Sequence, residues 1–157
     1  MNNSWKAGFG FGVTSAIITT LGLMIGLKVC TQSKLAVIGG IISIAICDAL
    51  SDSLGMHISQ EYSNQKVKRI WQATISTFIS KLLLGFTFII AILIFEINTA
   101  IIVNIVWGLL ILIIFSYIIA KNEKEKPYKV IFEHLLIAII VIIATYFIGL
   151  LISKIFV

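Results

Sequence analysis

The sequence predicts an all-α membrane protein: one domain, residues 1–157, with five transmembrane helices. Three observations carry this expectation. First, 59% of the residues are hydrophobic and only 12% charged, with a mean hydropathy of +1.09. A soluble domain of this size has too little interior to hide that much apolar surface. Second, the apolar residues fall into five blocks near the ~20-residue length a helix needs to cross roughly 30 Å of hydrocarbon. Third, runs such as 139–143 show no apolar/polar alternation, which a membrane β-barrel would require.

The first block, 8–27, contains the stretch FGFGVTSAIITTLGLMIG. Only Lys6 precedes it and no A-x-A-like site follows, so it reads as a retained span and not a signal peptide. Gly8 with Gly12, and Gly22 with Gly26, form G-x-x-x-G pairs, and Thr14, Ser15, Thr19 and Thr20 add hydroxyls. Small residues let helices approach closely, and hydroxyls bond across them. The block therefore predicts a central helix, packed on its neighbours or on its own copy in a dimer. Met24 reads as packing.

The second block, 35–56, is the least apolar because it carries Asp48 and Asp52. The third, 75–95, contains Lys81. The fourth, 99–120, and fifth, 131–152, are nearly pure Ile, Leu, Val and Phe. Such β-branched residues are modest helix formers in water. In lipid the backbone must satisfy its own hydrogen bonds, and a helix does so. Between the blocks, 58–72 and 121–129 read as solvated connections, the latter a charged turn with Pro127 as a stop.

Connection charges set the orientation. Lys6, Lys66, Lys68, Arg69, Lys121, Lys124, Lys126 and Lys129 fall on one side, while Lys28, Lys34 and Lys154 fall on the other. The positive-inside rule then predicts a cytoplasmic N-terminus and an outside C-terminus. The formal net charge of +5 reflects this bias and gives no reason to expect nucleic acid. Usage rich in Ile, Lys and Asn suggests a microbial plasma membrane. Cys30 and Cys47 lack a C-x-x-C spacing and sit at different depths, so no disulfide is expected. Cys47 reads as a small packing residue, with a soft metal ligand as the alternative.

Chemistry is sought among polar residues inside the spans, where they are costly and default to functional hypotheses. Asp48 and Asp52 lie one turn apart on one helix face. Met56 continues the stripe and Ser59 roughly follows it, while His57 and Glu61 form a second pair further round. Two carboxylates, a thioether and an imidazole suit the descent of a divalent transition metal. Equally, Asp48 and Lys81 lie at similar depth, so they can form a structural ion pair. Asp52 has no evident second cation, which favours a functional role for it. Glu133 and His134, at the start of the fifth span, would join His57 and Glu61 in a cation-collecting cytoplasmic mouth. No Ser–His–Asp arrangement at one depth and no H-E-x-x-H appears, so an enzyme is not expected.

The chain resembles the vacuolar iron transporter family of five-span divalent-metal transporters. IITTLGLMIG at 17–26 is similar to that family's LVTTLGLVAG, and ALSDSLGMHIS at 49–59 to its ALSMALGEYLS. Thr145, Tyr146 and Gly149 match a TYxxG pattern. The resemblance implies a dimer with a metal path between subunits, lined by the first two spans. Ser15 stands where the family places an aspartate. Asp52, Met56 and His57 stand where it places methionine, glutamate and tyrosine. The short 58–72 connection stands where typical members carry an acidic metal-binding insert, and Lys81 stands near the place of a usual proline.

These readings together predict a transporter exporting Fe²⁺ or Mn²⁺ from the cytoplasm, in exchange for protons. Asp52 and Met56 would bind the ion, and Asp48 would be a second carboxylate or proton carrier. Lys81 would neutralise Asp48 when the site is empty, and Ser15 and Thr19 would supply weak contacts. No permanently bound cofactor is expected. The rival expectation is a non-transporting membrane interaction or scaffold protein with purely structural charges. The transporter reading needs the two acids to face a space that a hydrated cation can reach.

Overall fold

The computed structural model describes residues 3–156, which form five α-helices. They are α1 (Asn3–Thr31), α2 (Lys34–Tyr62), α3 (Val67–Ile94), α4 (Ile97–Glu123) and α5 (Pro127–Phe156). Each is long and apolar enough to cross a membrane. The five expected blocks lie within them, apart from Phe95 at the end of the third, and every helix overruns its block. The largest correction concerns 58–72. That stretch is almost entirely helical, with only 63–66 between α2 and α3. Polar residues at a span's ends can extend a helix into the headgroup region, where the exposed turn is hydrated. Pro127 also differs from expectation, for it begins α5 and does not end α4. At the first helical position its missing N–H costs nothing and its fixed φ is already helical.

The connections are very short, so consecutive helices are antiparallel hairpins. Three turn through non-glycine residues in left-handed conformation: Gln32 (φ 51°), Asn64 (φ 52°) and Lys124 (φ 58°). Each follows a helix C-terminus, where one left-handed residue reverses the chain. Ser33 then caps α2 by accepting a hydrogen bond from the Ala36 N–H at 3.2 Å.

The expectation of a central first helix holds: α1 packs against all four others. Around it the neighbours run α2, α3, α4, α5, with no substantial contact between α2 and α5. The glycine pairs of α1 are used inside the chain. A Cβ on Gly8 would lie 2.2 Å from the Ala73 carbonyl oxygen. One on Gly12 would lie 2.8 Å from the Thr77 carbonyl oxygen and 2.1 Å from Ser80 Oγ. Gly22 and Gly26 face Val141 and Thr145 on α5. Hydrogen bonds reinforce the close α1–α3 seam: Ser76 donates to the Trp5 carbonyl at 2.9 Å and Thr77 to the Gly8 carbonyl at 3.1 Å.

The core holds Ile17, Leu21, Met24, Ile41, Phe88, Ile92 and Leu112. Buried Asn104 joins three helices there, donating to the Phe88 carbonyl at 2.9 Å and to Met24 Sδ at 3.2 Å. Met24 is therefore packing, as expected.

Candidate ion site

α2 presents Asp48 and Asp52 one turn apart, and buried Ala45, Ala49 and Ser53 seat that helix close on its neighbours. At Gly85 on α3 a Cβ would lie 3.0 Å from that of Ala45. This close seam brings Lys81 of α3 beneath the two acids. Its side chain is 2% exposed, and its Nζ is surrounded by three oxygens. Asp48 Oδ2 lies at 2.6 Å, Asp52 Oδ2 is in direct contact, and Ser15 Oγ of α1 lies at 2.7 Å. The Ser15 hydroxyl accepts from the ammonium and donates to Asp52 Oδ2 at 2.7 Å. Asp48 differs, for its Oδ2 is buried and no hydrogen bond is directed at it. That contact is an ion pair without hydrogen-bond alignment.

The expected Asp48–Lys81 pair is thus present. The expectation that Asp52 lacks a cation is wrong, because both acids share one lysine. A lysine stem is long enough to sit between residues one turn apart, which matching depths along separate spans does not reveal. The carboxylates are not sealed, since Asp48 and Asp52 remain 23% and 21% exposed.

The other expected ligands divide. Thr19 donates to the Ser15 carbonyl within its own helix at 2.9 Å. Met56 is half-buried one turn beyond Asp52. His57 does not join Glu61. Its Nδ1 bonds Thr74 Oγ1 at 3.0 Å, and its ring packs edge-on against Trp71, 4.9 Å between centroids. His134 Nδ1 bonds Ser116 Oγ at 2.7 Å, between α5 and α4. Glu61 and Glu133 are exposed. The expected mouth of His57, Glu61, Glu133 and His134 is therefore not assembled within one chain, because each imidazole turns to a hydroxyl on a neighbouring helix. Among the described residues, no three His, Cys, Asp or Glu side chains group to hold a metal. Cys30 and Cys47 are both free, and Cys47 lies on the exposed face of α2 and not in the core.

Thr74, Ser116 and Asn104 escaped the sequence reading. Asn104 and Ser116 carried a usable signal, for each interrupts a nearly pure apolar span. Two cavities of about 540 and 250 Å³ lie elsewhere, and neither is lined by the acids.

Two of the motif stretches meet in space: Gly22 and Gly26 of α1 contact Thr145, and Gly149 of α5 backs onto the Gly26 carbonyl and Val29. The family model described as the VIT family matches residues 49–150. No curated protein matches the chain.

Proposed function

The chain belongs to the VIT family, the vacuolar iron transporters, and on that premise we propose that it carries a divalent transition metal, Fe²⁺ or Mn²⁺, out of the cytoplasm. Its family is one of membrane metal-ion transporters, and its five helices fit an integral membrane protein. The observation that supports the assignment of the site is the convergence of oxygens from Ser15, Asp48 and Asp52 on one cation at mid-span. Carboxylate and hydroxyl oxygens converging on a point are what a hard divalent ion requires. Lys81 occupies that point as a tethered counter-ion.

The exchange chemistry follows from charge. A divalent ion and an ammonium about 4 Å apart repel by several kcal/mol even at an effective dielectric near 20. Lys81 would then swing away as metal enters and return as it leaves. In this reading Asp48 serves as a second carboxylate or as the proton carrier of a metal–proton exchange. The eight basic residues at one end support a cytoplasmic N-terminus. Met56 would add a soft ligand beside Asp52.

One chain supplies too few ligands, so the reading includes a homodimer in which a second copy of α2 completes the site. The residues left open on α2 support this. Gly39, Ser43, Cys47, Ser51 and Gly55 recur every fourth position and are exposed or unobstructed.

The ion triad also supports the rival reading, a scaffold whose charges only fix helix packing. Flux of Fe²⁺ and Mn²⁺ into proteoliposomes containing an internal pH dye separates the two. Metal entry with proton counterflow is expected, abolished by Asp52→Asn in folded protein. Absence of flux favours the scaffold, whereas flux unchanged by Asp52→Asn keeps transport and removes Asp52 from the ion site.

A further inference from the structure

The larger of the two cavities is lined by residues of α1, α3 and α4 and by none of the acids, and nothing in the transport reading uses it. α3 and α4 leave a two-residue turn packed together. Asn104 bonds the Phe88 carbonyl, and Trp107 Nε1 donates to Thr87 Oγ1 at 3.1 Å. Beyond that bond the two helices separate, and a groove of about 540 Å³ opens between them, floored by Trp5, Phe9 and Val13 of α1. Its α3 wall is Ser76, Ile79, Ser80, Leu83 and Thr87, and its α4 wall includes Ile111, Ile114 and Phe115.

The chemistry of the groove is apolar throughout. Its hydroxyls are spent on the backbone: Ser76 on Trp5, Ser80 on Ser76, and Thr87 on Leu84. Each of these hydroxyl protons is therefore already engaged. From Ser76 to Thr87 the α3 wall rises about 16 Å at the helical step. That is about half of a ~30 Å hydrocarbon core, hence the depth of one leaflet. The volume of about 540 Å³ has room for part of one extended acyl chain.

The open end of the groove is charged. Extending each wall by two helical turns, seven residues, reaches Arg69 from Ser76 on α3 and Lys121 from Ile114 on α4. Both are exposed, and Lys6 follows Trp5 on the floor helix. The acids at this end are Glu123 at the end of α4, Glu125 in the turn after it, Glu61 on α2 and Glu133 on α5, so none lies on the α3 or α4 wall between the groove and these two cations. An apolar slot one leaflet deep, ending between two cations, matches a phospholipid with an anionic headgroup.

We propose that the α3–α4 groove binds one anionic phospholipid from the surrounding leaflet, its acyl chain between the helices and its phosphate between Arg69 and Lys121. Native mass spectrometry of the full chain, titrated in detergent with dioleoyl phosphatidylglycerol or phosphatidylcholine, tests it. The first phosphatidylglycerol should bind about tenfold tighter or more than phosphatidylcholine. Arg69→Gln with Lys121→Gln should bring the two lipids within about twofold, with the larger loss falling on phosphatidylglycerol. Leu83→Trp with Ile114→Trp should weaken the first binding event for both lipids. Equal binding of the two lipids to the unmodified chain overturns the proposal. So does a preference that survives the glutamine pair, which would place the headgroup elsewhere on the basic end. Wild-type binding by a folded tryptophan pair overturns it as well. If the tryptophan pair does not fold, the glutamine pair decides alone, because both positions are exposed and pack against nothing in the core.

Discussion

Lys81 is the residue on which the polar interior turns. It is the largest fully buried side chain in the protein, and it balances two acids at once. Removing one member of a buried ionic group costs ~3–5 kcal/mol, because the partner charge is stranded, whereas replacing the whole group is often neutral. Lys81→Met is therefore expected to lower thermal stability in detergent strongly. Adding Asp48→Asn and Asp52→Asn should restore most of it. If Lys81→Met alone melts like the unmodified protein, the acids are hydrated and the triad is not a packing element. Half of this arrangement is legible in the sequence. Asp48 and Lys81 matched in depth, but depth along a span says nothing about azimuth, so Asp52 was left without a partner. His57 and His134 were misread for a related reason. Spacing pairs His57 with Glu61, and position at a span's end groups His134 with Glu133, whereas the structure turns each imidazole to a hydroxyl on a neighbouring helix, Thr74 and Ser116.

Among the elements, α1 was the most legible and α2 the least. Glycines and hydroxyls in α1 announced close packing, and the structure spends them on α3 and α5. The two G-x-x-x-G pairs face different partners, which a linear motif cannot distinguish. Gly8 is the sharper test, since a Cβ there meets the Ala73 backbone, which no rotamer change can relieve. Overpacking against fixed backbone costs ~1–3 kcal/mol. Gly8→Ala should destabilise the protein by that amount, measured by thermal or denaturant unfolding in micelles. A neutral result would mean that the α1–α3 seam can open without loss. Helix limits were legible only for the hydrocarbon-crossing part. Overhangs such as 58–62 and 67–72 mix charged and polar residues with Ile58, Val67, Ile70 and Trp71, too few apolar residues to mark a span, and their helicity is helped by continuing a nucleated helix.

At the scale of the molecule, α2 and α5 are the outer walls, and both expose large apolar residues, such as Ile46, Leu50 and Leu54 on α2 and Phe132, Ile140 and Phe147 on α5. Beside its apolar stripe, α2 also exposes small residues every fourth position, and a Cβ at Gly39 or Gly55 would meet nothing within 4 Å. Lipid exposure alone gives small residues no advantage, whereas close approach of a second helix does. In an isologous dimer the two α2 stripes cross, and Cys47 sits midway between Gly39 and Gly55. A disulfide needs Cα atoms within about 7 Å, so a crossing at Cys47 brings the pair of thiols into range. Mild oxidation in membranes should then give covalent dimers through Cys47. Gly55→Leu should abolish both these and the dimer seen by light scattering, with the unfolding temperature of the single chain unchanged. Crosslinking that persists in Gly55→Leu would move the contact off this stripe. A strictly monomeric unmodified protein would leave Asp48 and Asp52 without a second ligand shell, and with it the proposed metal path.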